Sequence, residues 1–319
     1  MKYKTKLLFL PLALLLPALA VWLFLQHASS ANAQELLGFD LENSTVPIQE
    51  IRRGGPPPDG IPSIDDPNFT LATEVEFLEP GDIVLGFSHA GEHRAYPFRI
   101  LIWHEIVNDT IGDLPIAPTY CPLCGTAMVF DREVDGQTLT FGVSGLLWNS
   151  DVLMFDRETR SLWSQLSTKA ISGDHVGAQL EWLPSQQMTW ESWLEKHPNS
   201  QVLNTDTGHR RDYVNLPYQS YFDSPQTMFP YRENRDDKEP KTWVVGVQGE
   251  NAQKAYPLED LPSNQWTEDR IGDQEVRFHY DPNSDYFQIQ EKAGGDLPAV
   301  HVFWFAWQAF YPETDLWEE

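Results

Sequence analysis

The sequence predicts a mostly β protein of the β-rich α+β class. It is expected to contain two degenerate copies of one β-hairpin-rich unit, with a loop-rich, partly helical insert between them. Two observations lead to this prediction. Short apolar runs separated by turn residues occur along most of the chain, and a hairpin turn at Asp135-Gly136 would place Phe130 opposite Phe141. The chain also matches itself without gaps when it is shifted by 160 positions.

The first 33 residues have the features of an export signal. Three lysines precede an apolar run at residues 7–25, and Ala31-Asn32-Ala33 matches a small-x-small cleavage pattern. Because the run is long for a signal peptide, an uncleaved anchor is the alternative, and only then would the protein contact a membrane. We expect a periplasmic or extracellular protein in which residues 34–69, with many prolines and glycines, form an extended lead-in.

The internal match aligns residues 84–122 with residues 244–282. Twelve of the 39 aligned positions are identical, where average composition would give roughly two or three. The identities include Ala95-Tyr96-Pro97 and Ile111-Gly112-Asp113. We therefore expect two copies of one unit.

The unit boundaries follow from the extent of this match. The first unit is expected to span residues 70–165 and the second residues 241–319, with the insert at residues 166–240. Within the insert, the spacing of apolar residues predicts one helix at residues 190–196, entered through Thr189.

The two copies differ where side chains could bind a metal or titrate. Four residues of the first copy are replaced in the second: His104 by Asn264, Glu105 by Gln265, Cys121 by Asp281 and Cys124 by Ser284. Because residues needed for the scaffold persist while these do not, we expect the chemistry to belong to the first copy and the second to be structural.

The only two cysteines of the chain stand in the segment Cys121-Pro122-Leu123-Cys124-Gly125. A pair this close cannot join distant segments, so it indicates either metal binding or dithiol–disulfide chemistry. The residues that follow have a strand-like pattern, which favours a metal-binding knuckle over the helix N-terminus of a thioredoxin-type site. One transition-metal ion, copper or zinc, is the expected cofactor.

Further ligands must come from elsewhere, because the chain has no second cysteine pair. A two-residue turn at Gly112-Asp113 would place His104 opposite Cys121 on neighbouring strands, which makes His104 the predicted third ligand. Met154 is a candidate fourth ligand that would favour copper, with core packing as its alternative. Residues expected to line the pocket or to support the ligands are Glu105, Arg94, Tyr120, Asn149, Asp151 and Arg157. Arg157 is expected to pair with Asp151 or with an anionic ligand.

Two other functions stay open. In a periplasmic thiol–disulfide oxidoreductase, Cys121 would attack and Cys124 would resolve the mixed disulfide. A non-catalytic partner-binding module is suggested by 12 tryptophans, 11 tyrosines and 17 phenylalanines, although a β-rich core needs such residues too. Nucleic acid is not an expected partner, because the formal net charge is -25.

Several stretches of the chain together resemble a known family. They are Arg94-Ala95-Tyr96-Pro97, Trp103-His104-Glu105-Ile106-Val107-Asn108-Asp109, Thr119-Tyr120-Cys121-Pro122-Leu123-Cys124 and residues 154–165. These stretches resemble the exported bacterial and archaeal proteins grouped as domain-of-unknown-function family 3179, over about residues 60–317. The resemblance implies export and a central part for the Cys-Pro-Leu-Cys segment, but it implies no particular reaction.

Overall fold

The computed structural model describes residues 35–319. Strands account for 41% and helices for 12% of the structure, so the predicted β-rich class is confirmed. Within the described residues, no helix is long and apolar enough to span a bilayer. The predicted export signal at residues 1–33 lies outside the described part of the chain.

The described residues form short strands and four short α-helices, numbered here in chain order. The strands are β1 Glu35–Leu36, β2 Phe39–Asp40, β3 Ile51–Arg53, β4 Phe69–Leu71, β5 Ile83–His89, β6 Glu92–Pro97, β7 Asp109–Ile111, β8 Leu114–Cys121, β9 Thr126–Asp131, β10 Glu133–Val134, β11 Gln137–Thr138, β12 Phe141–Trp148, β13 Asp151–Asp156, β14 Leu162–Ser164, β15 Ala170–Ser172, β16 Trp182–Leu183, β17 Gln186–Thr189, β18 Gln201–Leu203, β19 Trp243–Gln248, β20 Gln253–Pro257, β21 Trp266–Ile271, β22 Gln274–Asp281, β23 Tyr286–Glu291, β24 Ala299–Phe303 and β25 Asp315–Leu316. The helices are α1 Phe98–His104, α2 Trp190–Lys196, α3 Gln219–Phe222 and α4 Trp304–Phe310.

Two of the sheets supply the turns that form the candidate site. One has the strand order β16-β9-β8-β7, and the other has the order β15-β14-β13-β12-β3. Three further sheets have the orders β17-β5-β6-β18-β4, β24-β19-β20-β25 and β21-β22-β23. The β8–β9 and β12–β13 connections are both tight antiparallel turns, and the site described below lies where they meet.

The strands of the two internally similar segments correspond in position. Strands β22 and β23 begin and end 160 residues after β8 and β9. The Tyr96 hydroxyl donates to Asp109, and the Tyr256 hydroxyl donates to Asp269 in the same way. Helix α1, in contrast, has only a 3₁₀ turn at Leu258–Asp260 as its counterpart. Descent of the two segments from one duplicated unit stays a prediction.

Equivalent glycines let helices pack closely on the two larger sheets of these segments. A Cβ at Gly86 would lie 2.0 Å from the ring of Trp193 in α2, and one at Gly246 would lie 2.3 Å from the ring of Trp307 in α4. Both tryptophans are fully buried. The predicted helix at residues 190–196 is present, with the Thr189 side chain accepting from the amide of Ser192 at its N-terminus.

The turn at Asp135-Gly136 is present, but its flanking strands separate sooner than expected. Val134 pairs with Gln137, and the ladder has ended before Phe130 and Phe141 could face each other. Phe130 pairs with Ala117 and Trp182 instead. The predicted Phe130–Phe141 pair is wrong because β9 continues into a different sheet from β12.

Candidate metal centre

The two cysteines lie at a tight turn at one end of a β-hairpin. Cys121 is the last residue of β8, and Cys124 lies in the turn that leads into β9. The turn is closed by a 2.9 Å hydrogen bond from the amide of Gly125 to the carbonyl of Cys121. Gly125 has φ +72°, a left-handed conformation that glycine adopts without strain. Both thiols are free and buried. Their sulfur atoms lie within 4.8 Å of each other, so the sequence Cys-Pro-Leu-Cys-Gly folds as a tight turn, a knuckle, that brings both sulfurs together.

A second tight turn, between β12 and β13, meets the knuckle. Its two central residues, Asn149 and Ser150, have φ +52° and +65°, as a type I′ hairpin turn requires. The turn aims the carbonyl oxygen of Ser150 at the sulfurs. Cys124 Sγ lies 3.4 Å from this oxygen and Cys121 Sγ lies 3.9 Å from it.

Asp151 follows this turn and adds a carboxylate to the two thiols. One ligand atom from each of Cys121, Cys124 and Asp151 lies within 4.8 Å of the other two, and all three residues are buried. The Oδ2 atom of Asp151 accepts from the amide of Leu166 at 3.0 Å. Its Oδ1 atom is buried and has no hydrogen-bond partner in the described chain. An unpartnered buried carboxylate oxygen is costly, so this atom is available to a ligand that the three side chains would share.

The electrostatics of the cluster favour its neutral, protonated form. Burial raises the pKa of Asp151 to about 7. Burial, followed by the nearby Cys121 thiol and the Asp151 carboxylate, raises the pKa of the Cys124 thiol well above its usual value. Glu105 is also buried, and burial together with the charge of Asp151 raises its pKa to about 8. A cation bound among these groups would offset the repulsion between their charged forms.

Part of the insert covers both turns. The Tyr221 hydroxyl donates to the carbonyl of Leu123 at 2.7 Å, inside the cysteine knuckle. The Ser150 hydroxyl donates to the carbonyl of Phe229 at 2.8 Å, and Asn149 Oδ1 accepts from the amide of Arg232 at 3.1 Å. The insert therefore closes the cluster off from solvent.

The structure places His104 away from the predicted strand position. The turn at Gly112-Asp113 has the expected register, with Asp109 opposite Ile116, and the pairing continues to Ile106 opposite Thr119. His104 nevertheless ends helix α1, because Glu105 takes a left-handed conformation (φ +59°) that stops the strand from extending further back. The prediction that His104 faces Cys121 on a neighbouring strand is therefore wrong.

The ring of His104 is engaged elsewhere. Its Nδ1 atom lies 2.8 Å from the carbonyl oxygen of Pro62, and its Nε2 atom lies 2.8 Å from the hydroxyl oxygen of Tyr213. Burial lowers the pKa of His104 to about 4. His104 is not among the three residues whose ligand atoms converge. Asp151, which was expected only to line the pocket, supplies the third converging ligand atom.

Other predicted residues lie close to the cluster. Met154 is fully buried in the same hydrophobic cluster as both cysteines, so its part as a ligand stays a prediction. Tyr120 points to the opposite face of β8 from Cys121 and packs on Phe98, with ring centroids 4.6 Å apart. The Nδ2 atom of Asn149 is buried without a hydrogen-bond partner among residues 35–319.

Two predicted arginines belong to other contacts. Arg94 pairs with Asp109 at 2.5 Å, and the corresponding Lys254 pairs with Asp269 at 2.8 Å in the segment that lacks cysteines. We therefore interpret Arg94 as part of the scaffold.

Arg157 has acidic partners, but Asp151 is not one of them. It binds Asp59 at 2.8 Å and Asp65 at 3.3 Å, both in the lead-in segment. The predicted Arg157–Asp151 pair is wrong because Asp151 points into the buried cluster, whereas Arg157 binds the partly exposed lead-in segment.

Sequence reasoning missed two contributors to the site. The Ser150 carbonyl is a backbone group, and only the positive φ angles of the turn direct it at the sulfurs. Tyr221 lies about one hundred residues from the cysteines in sequence, and no local pattern links the two. The consecutive polar residues Asn149-Ser150-Asp151 were the one available signal, since they favour a tight turn.

Different side chains stand at the two cysteine positions in the second segment. Asp281 and Ser284 occupy them there, and the Ser284 hydroxyl donates to the Asp281 carboxylate at 2.6 Å. The same backbone turn is thus closed by an ordinary side-chain hydrogen bond where no thiols are present.

Comparison with known proteins identifies the family but assigns no reaction. The family model described as "Protein of unknown function (DUF3179)" matches residues 58–296. The chain belongs to this family. The match includes the cysteine knuckle, Asp151 and the covering part of the insert. No curated protein and no solved structure matches the chain.

Proposed function

We propose that this protein binds one transition-metal ion through Cys121, Cys124 and Asp151. The observation that supports the proposal is the convergence of two free thiols and one carboxylate, all of them buried. The Oδ1 atom of Asp151 also has no hydrogen-bond partner in the described chain. A purely structural role would leave the Asp151 carboxylate relying on the neighbouring Cys121 and Cys124 thiols, which are weak donors. A shared cation would satisfy it and would compensate the negative charge of the deprotonated ligands.

Zinc is the ion that this donor set fits best. Thiolate sulfur and carboxylate oxygen are both ordinary zinc ligands, whereas a carboxylate is a hard donor that suits copper(I) poorly. The imidazole of His104, which would have suited either zinc or copper, is hydrogen-bonded to Pro62 and Tyr213 instead. Three protein ligands are also the number that catalytic zinc sites use, leaving a fourth position for water or substrate, where zinc supplies Lewis-acid chemistry.

The dithiol alternative has less support. The two free thiols lie within 4.8 Å of one another, which is the observation in its favour. Burial, however, raises the pKa of Cys124, the predicted resolving thiol, and a thiol with little thiolate character resolves a mixed disulfide slowly. The covering segment adds a steric barrier to a disulfide substrate.

We also propose that the protein acts outside the cytoplasm. The support is the sequence of residues 1–33, with its lysines, apolar run and Ala-x-Ala pattern. The partner-binding alternative has weaker support, because the exposed large aromatic residues of the described chain are Trp243 and Trp266, which are 38% and 43% exposed.

Metal analysis of three matched variants tests the metal proposal. The full chain is purified without chelators, and bound metals are measured by inductively coupled plasma mass spectrometry. We expect about one equivalent of zinc in the wild type and less than about 0.2 equivalents in Cys121→Ser and in Asp151→Asn. Asp281→Asn, at the position that corresponds to Cys121, is the control and should keep its metal.

His104→Gln separates the two ligand sets. Retention of metal in this variant agrees with the Cys121, Cys124 and Asp151 set, and its loss in a folded variant would return His104 to the site. Thermal unfolding of each variant shows whether metal loss reflects unfolding. A wild type that binds no metal, even after reconstitution with zinc under reducing conditions, would contradict the proposal and favour dithiol chemistry.

A further inference from the structure

A groove of about 670 Å³ opens on the surface beside the buried cluster. Three parts of the chain form its walls: the lead-in segment, the end of helix α1, and the insert. The lining residues are Gly60, Ile61, Ile102, Trp103, Arg210, Arg211, Asp212, Pro217 and Tyr218. This volume lies in the range of pockets that hold small organic molecules.

The rim of the groove is cationic in a protein that is otherwise strongly acidic. The formal net charge is -25, with 22 basic and 47 acidic residues. Arg210 and Arg211 nevertheless stand side by side at the groove, both exposed, and neither forms an ion pair within residues 35–319. The only hydrogen bond from either guanidinium to the described chain joins Arg211 Nη1 to the backbone carbonyl of Arg210.

The one acidic residue of the lining forms no ion pair with these arginines within residues 35–319. Asp212 accepts from the side-chain amide of Asn215 at 2.6 Å and from the amide of Val214 at 3.2 Å. Its carboxylate is therefore committed to its own turn. Two guanidinium groups without an ion-pair partner in the described part of the chain, each with several donors in a planar fork, are suited to a carboxylate or a similar oxyanion.

The floor of the groove is apolar and aromatic. Ile61 and Ile102 supply aliphatic surface, and Trp103 and Tyr218 supply rings. The indole Nε1 of Trp103 is buried and has no hydrogen-bond partner in the described chain. This combination fits an apolar body that carries one anionic group, rather than a bare inorganic ion.

Tyr218 connects the groove to the buried cluster. Its ring lines the groove and also packs against the hydrophobic cluster that contains both cysteines. Burial raises the pKa of its hydroxyl most, and the negative charges of Glu105 and Cys121 raise it further. The phenol therefore lies within electrostatic range of the cluster. A molecule in the groove would therefore contact a residue that packs against the hydrophobic cluster containing both cysteines.

We propose that the groove is a binding site for a small organic anion, an apolar or aromatic molecule with a carboxylate or sulfonate group. Arg210 and Arg211 hold the anionic group, and Trp103 and Tyr218 contact the apolar body. The inference goes beyond the proposed metal site and does not depend on it, because none of the three metal-binding side chains lines the groove.

Fluorescence titration with 8-anilinonaphthalene-1-sulfonate, an aromatic anion, tests this site in the full-length protein. Arg210→Gln/Arg211→Gln should weaken binding by about 10-fold or more, as expected from the loss of two charge-assisted contacts. The matched control is Arg52→Gln/Arg53→Gln, which removes the same charge from another exposed arginine pair and should change binding by less than about twofold. Benzoate should displace the probe, and inorganic phosphate at the same concentration should not.

The outcomes that would overturn the proposal are distinct. Equal weakening in both double variants would show that the probe senses only overall charge. Displacement by phosphate as readily as by benzoate would show that the apolar floor plays no part, and probe binding that benzoate does not reverse would place the probe elsewhere. The titration is repeated with Cys121→Ser, which removes a proposed metal ligand but leaves the groove lining intact. Unchanged probe binding in this variant would show that the groove acts independently of the metal site.

Discussion

Gly125 offers a direct test of how the cysteine knuckle is built. Its φ of +72° disfavours any residue with a Cβ, and a Cβ there would lie 2.4 Å from the ring of Trp243. The change Gly125→Ala therefore adds two penalties, one from the backbone conformation and one from the contact. Gly136 is a matched control, because its φ is +79° but nothing lies within 4 Å of its added Cβ.

The expected magnitudes follow from these two geometries. Alanine in the left-handed conformation costs about 1 kcal/mol at either position. At Gly125 the Trp243 ring must also move, which breaks its contact with Phe303, where the ring centroids are 4.1 Å apart. Loss of such an aromatic pair costs roughly 0.5–1.5 kcal/mol. We expect Gly125→Ala to destabilise the protein by about 1 kcal/mol more than Gly136→Ala.

Urea unfolding followed by tryptophan fluorescence and by circular dichroism measures this difference. The comparison uses metal-free protein, so that metal affinity does not enter the free energy of unfolding. Gly125→Ala should also lower zinc affinity, because the displaced turn carries both sulfurs, whereas Gly136→Ala should not. Equal destabilisation by the two substitutions would refute the reasoning about Trp243.

Three further predictions address the site. The metal-free protein should lose stability between pH 5 and pH 8, by roughly 3 kcal/mol for each of Asp151 and Glu105 taken alone. Both folded-state pKa values are raised, to about 7 and about 8, so stability is fully present below the unfolded values and is lost as pH rises through the folded ones. Urea midpoints across this range check the trend, and a midpoint that rises with pH would contradict it. Tyr221→Phe should cost about 1 kcal/mol through loss of the bond to Leu123 and should leave metal stoichiometry unchanged; loss of metal would give the hydroxyl a direct part in the site. Tyr213→Phe should destabilise the protein by about 1 kcal/mol by removing the partner of His104 Nε2, again without loss of metal; no change in the unfolding midpoint would contradict the importance of that contact.

The cysteine knuckle could be predicted from sequence because its determinants are local. Two thiols separated by Pro122-Leu123 and followed by Gly125 must form a tight turn, and the strand-like residues after it excluded a helix. The register of the Gly112-Asp113 turn followed in the same way from its short loop. Local signals of this kind fix which backbone atoms pair within a few residues.

The choice of third ligand could not be made from such local signals. Extending the register back to His104 assumed a continuous strand, but helix α1 and the left-handed Glu105 interrupt it. His104 then contacts Pro62 and Tyr213, which are distant in sequence. Asp151 lies beside the two thiols because two hairpin turns from different sheets meet, and the sequence contains no signal for that meeting.

The sequence by itself determined the β-rich class, the family, the position of the cysteine turn and the acidic character of the surface. These properties depend on composition, on the spacing of apolar residues and on short turns, which act over a few neighbouring residues. Only the tertiary structure decided that Asp151 joins the thiols, that the insert covers them, and that Arg210 and Arg211 border a groove. Contacts between distant segments depend on how the sheets pack, and packing is a property of the whole chain.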